Sequence, residues 1–546
     1  MTGESYSKGG NEPALLDLTI GQMLAQTVSK FPERDAVVDR ASGKRWTWAE
    51  LNEDVHRVAT GLLDLGVQKG DRVGIWAPNC AEWTITQHAT AVIGAILVNI
   101  NPAYRAHELA YVLNQAEIST IVSAVSFKTS DYRQMVLDVR SEAPALKSLV
   151  FIGEASWQQL LDTSADFERV EAVGRTVQPD EPINIQYTSG TTGFPKGATL
   201  SHRNILNNGY FMSEIQAWTE LDRVCLPVPF YHCFGMVMGN LASLSHGTCT
   251  VIPAPGFDPK LTLDAVEAEK CTVLYGVPTM FIAMLNEPDI GTRDLSTLRT
   301  GVMAGSACPI EVMKRVINEM HMDGVTICYG MTETSPVSAQ TRMDDSLERR
   351  TETVGRAIPH VEIKVVDPAT GETVPYGETG EYCTKGYSVM LGYWNDEEKT
   401  REAVVDGWMH TGDLATMDPD GYVNIVGRLK DMVIRGGENV YPREIEEFLY
   451  THPDIEDVQV VGVPDLKYGE ELCAWIKMKP GASAPLDAAA IKEFCSGQLA
   501  HFKIPRYVIL ADEFPMTVTG KVRKIDMRQA SIEKLDLQEA AATKTA

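Results

Sequence analysis

No two of the ten cysteines in this chain stand at C-x-x-C spacing. Cys80, Cys225, Cys233, Cys249, Cys271, Cys308, Cys328, Cys383, Cys473 and Cys495 are scattered over 546 residues. A metal cluster and a disulfide framework both require close, patterned thiols, so free buried thiols in a reducing compartment are expected instead. Positive charge is scarce too: 49 Lys and Arg stand against 74 Asp and Glu, a net charge of −25. That balance excludes a general nucleic-acid or acidic-membrane binder, whose footprint is basic. Long apolar runs are missing, and the most apolar stretch, residues 89–98, is too short to span a bilayer. There are no repeats and no low-complexity blocks. No basic-plus-apolar leader opens the chain; "MTGESYSKGGNEP" reads as a flexible arm, and the tail "EAAATKTA" resembles no targeting address. A cytoplasmic location is expected.

What remains is an ordinary globular composition, 44% apolar, in a chain long enough for roughly three or four structural units. Several segments read as a strand, a small-residue tip and then a helix. "INIQY" runs into a glycine-rich loop, "TVLYGVP" into "TMFIAMLNE", and "LRTGVMAGSACP" into "IEVMKRVINEMH", where Ile310, Met313, Ile317 and Met320 recur at helical spacing. "VTICYGMTETS" is a further apolar strand ending in polar residues. This alternation predicts an α/β fold whose ligands gather at the carboxyl ends of the strands. From about Gly371 short strands and turn signals such as "DPDG" take over, and a compact α/β tail follows "GRLKD". The reading is a large N-terminal part of stacked α/β sheets over 1–429, with a β-rich portion at about 350–429. A small mobile α+β C-terminal domain, 430–546, completes the chain.

The loop "YTSGTTGFPKG", residues 187–197, holds four Ser/Thr hydroxyls, three glycines and Lys196. Glycines let backbone N–H groups approach an anion, hydroxyls add rotatable donors, and the lysine adds a point charge. A P-loop is excluded in detail: counting from Gly190, the second glycine slot holds Pro195, and Gly197 follows Lys196. With cations this scarce, a lysine inside such a motif points to a polyanionic ligand.

Five motifs then occur in order: this loop, "YGMTE" at 329–333, "GWMHTGD" at 407–413, "GRLKDMVIRGGENVYPREIE" at 427–446 and "TGK" at 519–521. Together they resemble the ATP-dependent adenylate-forming (AMP-binding) superfamily of acyl-CoA synthetases, adenylation domains and beetle luciferases, over roughly residues 20–530. "LSHRNILNN", "VYPREIEEFL" and "LAHFKIPRY" are most similar to medium-chain fatty-acyl-CoA synthetases. The resemblance implies a ligase that converts a carboxylic acid to acyl-AMP with ATP and Mg2+, then passes the acyl group to CoA.

It implies roles residue by residue. Thr188, Ser189, Gly190, Thr191, Thr192, Gly193 and Lys196 would hold the β- and γ-phosphates. Glu333, with Thr332 beside it, matches the magnesium ligand, and one carboxylate suffices because magnesium keeps waters and phosphate ligands. Asp413 and Arg428 match the ribose pair. Tyr329 would stack on adenine, with Gly305 and Ser306 as the opposite wall. Lys521 matches the lysine that bridges the substrate carboxylate and the α-phosphate, although Met516 stands where a lysine is common. Lys430 matches the hinge, and Gly437 would let the pantetheine arm of CoA pass. His232 matches a gate beside the carboxylate, Met236 suits an alkyl chain, and Gly330 stands where acetate-specific relatives carry a pocket-closing tryptophan. A fatty acid, medium-length by the motif wording, is the expected substrate. An aryl-acid CoA ligase and a fatty-acyl-AMP ligase loading a carrier protein in trans remain alternatives, and a homodimer is admitted.

Overall fold

The alternating apolar runs and helices assemble two large sheets. The structure, a computed structural model, describes residues 3–188, 195–305, 308–435, 438–482, 485–517 and 521–542. One sheet has seven strands in the order Gly392–Tyr393, Lys196–Ser201, Pro182–Thr188, Ile96–Asn99, Arg72–Trp76, Thr120–Ser123 and Ser148–Phe151. Its last five strands are parallel, and Lys196–Ser201 folds back antiparallel on Pro182–Thr188. The second sheet has nine strands. It runs parallel from Gly324–Gly330 through Thr300–Ala304, Val273–Gly276, Arg223–Cys225 and Cys249–Ile252 to Asp35–Asp39. Parallel strands are covered on both faces, which is why runs such as "CTVI" and "VLYG" are apolar without alternation and wholly buried.

Helices fill the space between. Every residue of Ala81–Val92 except Glu82 is buried. Helix His202–Ile215 is started by Ser201, whose hydroxyl accepts from the Asn204 N–H while the Asn204 side chain accepts from the Ser201 N–H. In helix Ile310–Glu319 the fully buried positions are Met313 and Val316, with Met320 just beyond; Ile310 and Ile317 are only half-buried. The stripe read from the sequence thus holds at Met313 and Met320, while Val316 rather than Ile317 takes the fully buried place between them.

A six-stranded, β-rich sheet follows, in the order Tyr6–Lys8, Val361–Val366, Gly380–Gly386, Trp408–Met417 and Val404–Val405, with Val423–Arg428 also on Trp408–Met417. Its first strand corrects the expectation of a flexible arm. Tyr6, Ser7 and Lys8 pair with Lys364, Ile363 and Glu362, Ser5 is wholly buried, and the Tyr6 hydroxyl donates to Glu362 at 2.7 Å. An edge strand held by its backbone carries no apolar periodicity, so the segment looked structureless in sequence. From Val433 onward a five-stranded sheet of Glu438–Val440, Val433–Arg435, Gly469–Met478, Ile455–Asp465 and Tyr507–Leu510 has apolar clusters of its own. Among the described residues no helix is long and apolar enough to cross a membrane.

Two core histidines make stability depend on pH. Burial pulls His88 down to about 4; burial and then Lys69 pull His202 down to about 3. Unfolded, both titrate near 6.5. Below about pH 6.5 the unfolded chain takes up protons the folded chain refuses, so stabilisation present above that pH is lost as pH falls toward 3–4. Each histidine is expected to contribute about 1.4 kcal/mol per pH unit. His202→Asn, whose amide oxygen can still accept from the Ile20 N–H as Nδ1 does at 3.2 Å, should flatten the decline of the urea midpoint between pH 6.5 and 5. An unchanged slope would show that His202 binds no proton on unfolding.

Candidate active site

Strands from three sheets converge on one cleft. Pro182–Thr188 ends in Thr188, Thr300–Ala304 runs into Gly305, Gly324–Gly330 leads to the short turn Thr332–Thr334, and Trp408–Met417 carries Asp413. Glu333 is only 5% exposed. Its Oε1 accepts from the Tyr393 hydroxyl at 2.8 Å and lies 3.4 Å from the Thr188 hydroxyl. Burial, then Glu333, holds the Tyr393 phenol well above its ordinary pKa, so it stays a donor. The Lys196 ammonium lies 3.2 Å from that same hydroxyl and 4.3 Å from the ring centroid. A phenol thus stands between a cation and a buried carboxylate. Thr332 is buried beside Glu333, against the Cys233 thiol.

Asp413 and Arg428 form a cross-strand pair. Asp413 Oδ2 accepts from the Tyr329 hydroxyl at 2.6 Å, and Arg428 Nε lies 3.0 Å from Oδ1. Oδ1 is nevertheless buried without an aligned hydrogen bond, an acceptor left open for a donor such as a sugar hydroxyl. The Tyr329 ring meets Tyr382 edge-on, centroids 4.7 Å apart.

Lys521 lies next to an antiparallel bridge between Met516 and Val522. The Thr517 N–H donates to the Lys521 carbonyl at 2.7 Å, and the Lys521 N–H donates to the Thr517 hydroxyl at 3.0 Å. Its Cε lies 3.8 Å from where a Cβ would stand on Gly305. Burial lowers the ammonium pKa, Arg428 lowers it further, and Asp413 and Glu333 oppose the shift. His232 caps the turn Cys233–Gly235, its Nδ1 accepting from the Phe234 N–H at 3.1 Å. Burial, then the charge of Lys521, brings its pKa to about 3, so the imidazole is neutral.

Three groupings therefore result: Thr188, Lys196 and Glu333; Tyr329, Asp413 and Arg428; and Lys521, His232 and Gly305. Lys430 is exposed in a turn where the Asp431 and Met432 N–H groups donate to the Arg428 carbonyl. Met236 is 1% exposed, and its sulfur accepts from the Asn99 and Gln186 amides at 3.2 and 3.1 Å; it closes a buried polar row. At Gly330 a Cβ would collide with the Pro336 carbonyl, so this glycine is required by a backbone contact whatever the acyl group. Ser189, Gly190, Thr191, Thr192, Gly193, Ser306 and Gly437 lie outside the described residues. Sequence reasoning missed Tyr393, Thr517, Glu381 and His410. His410 stood inside a quoted motif; Tyr393 gave no signal, since its partners lie 60 and 197 residues away.

Residues 24–394 match the family described as AMP-binding enzyme, and residues 444–521 match the AMP-binding enzyme C-terminal domain. The chain belongs to the AMP-binding enzyme family. This AMP-binding enzyme is 50% identical to YngI of Bacillus subtilis (strain 168), which bears an acyl-CoA synthetase name, over 96% of this chain and 99% of that protein. It is 44% identical to the mitochondrial medium-chain acyl-CoA ligase ACSF2 of Danio rerio, over 98% of this chain and 91% of the relative. Among solved structures it is similar to ATP-bound MatB from Rhodopseudomonas palustris, with 31% identity and a TM-score of 0.85, covering 94% of this chain and 99% of MatB. As an AMP-binding enzyme it has the adenylate-forming fold, with a large N-terminal domain and a smaller C-terminal one.

Proposed function

We propose that this enzyme is an ATP-dependent acid–thiol ligase that activates a fatty acid of medium chain length to acyl-AMP and transfers the acyl group to CoA. The observation that carries the reading is Lys521. Borne on the C-terminal domain, it reaches the cleft beside Gly305 and His232, in the field of Glu333, Asp413 and Arg428. The family, the ACSF2 name of relatives and ATP-bound MatB support the substrates.

In the first half-reaction a carboxylate oxygen attacks the α-phosphorus of ATP, and the bond to the β-phosphate bridging oxygen breaks, releasing pyrophosphate. Both partners are anions, so the chain's task is charge neutralisation and alignment. Lys521 meets the negative charge shared by the carboxylate and the α-phosphate. Lys196 and the glycine-rich loop meet the departing phosphates, Asp413 and Arg428 hold the ribose, Tyr329 faces adenine, and neutral His232 borders the carboxylate. Glu333 would hold Mg2+, and the residues fit: its ligand oxygen is buried among the hydroxyls of Tyr393 and Thr188, an all-oxygen set suited to a hard cation. A magnesium ion held there would supply positive charge to offset that of the departing phosphates.

In the second half-reaction the thiol of CoA attacks the acyl carbon and AMP leaves. Lys521 fills the approach, so the C-terminal domain, residues 430–546, turns about Lys430 to withdraw it and bring Gly437 to the pantetheine channel. Ten free cysteines, nine of them buried, fit work in a reducing cytoplasm.

The test is AMP and pyrophosphate release across acids from acetate to stearate, plus benzoate and coumarate, each with and without CoA. Turnover that depends on CoA and peaks at mid-length fatty acids is expected. A peak on aryl acids would overturn the fatty-acid reading, and adenylate formation that CoA does not accelerate would favour a carrier-protein acceptor.

A further inference from the structure

The strand that carries Asp413 is interrupted where Asp413 sits. Strand Gly380–Gly386 pairs Glu381 with Leu414 and Cys383 with His410. Between those pairs one residue, Tyr382, faces three: Thr411, Gly412 and Asp413. Such a bulge breaks the ladder and re-aims side chains, and here Gly412 adopts a φ of +70°, open to glycine without strain. The missing ladder contacts are replaced by side chains. Glu381, 9% exposed, accepts from the Gly412 N–H at 2.9 Å with one oxygen and contacts His410 Nδ1 at 2.8 Å with the other. The Thr411 hydroxyl donates to the Tyr382 carbonyl at 2.7 Å and accepts from the Asp413 N–H at 3.2 Å. The Gly412 carbonyl accepts from the Leu429 N–H at 2.9 Å, next to Arg428.

We infer that Glu381 and His410 are positioning residues for nucleotide recognition: their hydrogen-bonded pair sets the bulge that aims Asp413 and Arg428 at the ribose. The carboxylate fixes two of the bulge's positions at once, and both residues of the ribose pair are tied to Gly412, one by the chain and one through Leu429. A loss here displaces the hydrogen-bonding atoms without removing them. Cys383 Sγ lies 3.5 Å from the same His410 nitrogen, and the ligating atoms of Glu381, Cys383 and His410 lie within 4.8 Å of one another. Within that group the carboxylate and imidazole are at hydrogen-bond distance, 2.8 Å. The inference rests on the ribose role proposed for Asp413, and its test separates the two.

The full-length enzyme is compared with Glu381→Ala, Glu381→Gln, His410→Asn and Asp413→Asn, reading KM for ATP, acid and CoA and the kcat/KM ratio of ATP to 2′-deoxy-ATP. Glu381→Ala is expected to raise KM for ATP about tenfold or more and to shrink the ATP preference about as far as Asp413→Asn does, with KM for acid and CoA unchanged. Glu381→Gln should restore most of the preference: its amide oxygen accepts from Gly412, and its NH2 donates to the other tautomer of His410. If Asp413→Asn shrinks the preference while Glu381→Ala and His410→Asn keep it, the inference falls and the ribose reading stands. If Asp413→Asn itself leaves the preference intact, the ribose reading falls and takes the inference with it. A Glu381→Ala that melts early yet keeps the wild-type preference would mark a merely structural contact; should it fail to fold, His410→Asn decides: a shrunken ATP preference supports the inference and a wild-type preference overturns it.

Discussion

Lys521→Ala is expected to slow acyl-adenylate formation by about 10²–10³-fold while ATP affinity changes by less than about threefold. The lysine does not rest in a ready-made ion pair. Burial and Arg428 both disfavour its charge, and Asp413 and Glu333 only partly offset them. A cation held at that cost gains most when negative charge develops next to it, which happens as the carboxylate closes on the α-phosphate. Its contribution therefore falls on the transition state and little on bound ATP. Rapid-quench measurement of acyl-AMP, alongside calorimetric ATP binding, checks both halves of the statement. Purified acyl-AMP supplied with CoA should still yield thioester in the variant, because that step requires the side chain to be absent. Equal losses in binding and in adenylation would contradict the role. Arginine should not rescue it, since a planar fork does not replace a compact ammonium on a flexible stem.

Glu333→Gln is expected to lower kcat/KM for ATP by about 10²-fold and to shift half-saturation by Mg2+ to higher concentration. The amide keeps the shape and can still accept from Tyr393, so the turn Thr332–Thr334 should persist and the loss can be assigned to charge. Glu333 and Lys196 stand on either side of the Tyr393 hydroxyl, at 2.8 and 3.2 Å. In the proposed reaction the phosphates would offer Lys196, and the cation would offer Glu333, a stronger partner than the phenol. AMP release measured against Mg2+ at fixed ATP checks the shift; an unchanged Mg2+ midpoint would remove Glu333 from the metal. Tyr393→Phe should lower the rate less, because both charges remain.

Much of this site was legible because its residues stand inside short strings with chemical content. "YGMTE" placed Tyr329 and Glu333, "HTGD" placed Asp413, and "TGK" placed Lys521. The partners that tune them were not legible. Tyr393 works through residues on two other segments, and Glu381 acts through a bulge that exists only once two strands pair. Met236 was chosen for its apolar chain, yet its sulfur serves two buried amides, a use composition does not reveal. Gly330 invited a reading about pocket size, and the close Pro336 carbonyl supplies a simpler reason for it. In the fold, parallel strands announced themselves by unbroken apolar runs. The strand Tyr6–Lys8 did not, because its contribution is made by backbone groups.

That strand has a practical side. By pairing with Glu362, Ile363 and Lys364 it covers backbone donors and acceptors on the edge of Val361–Val366 that would otherwise face solvent. Uncovered rows of this kind recruit strands from other molecules. A segment that reads as a flexible arm thus blunts a sheet edge, and a shortened clone that begins after Lys8 is expected to trade a tidy start for a sticky flank.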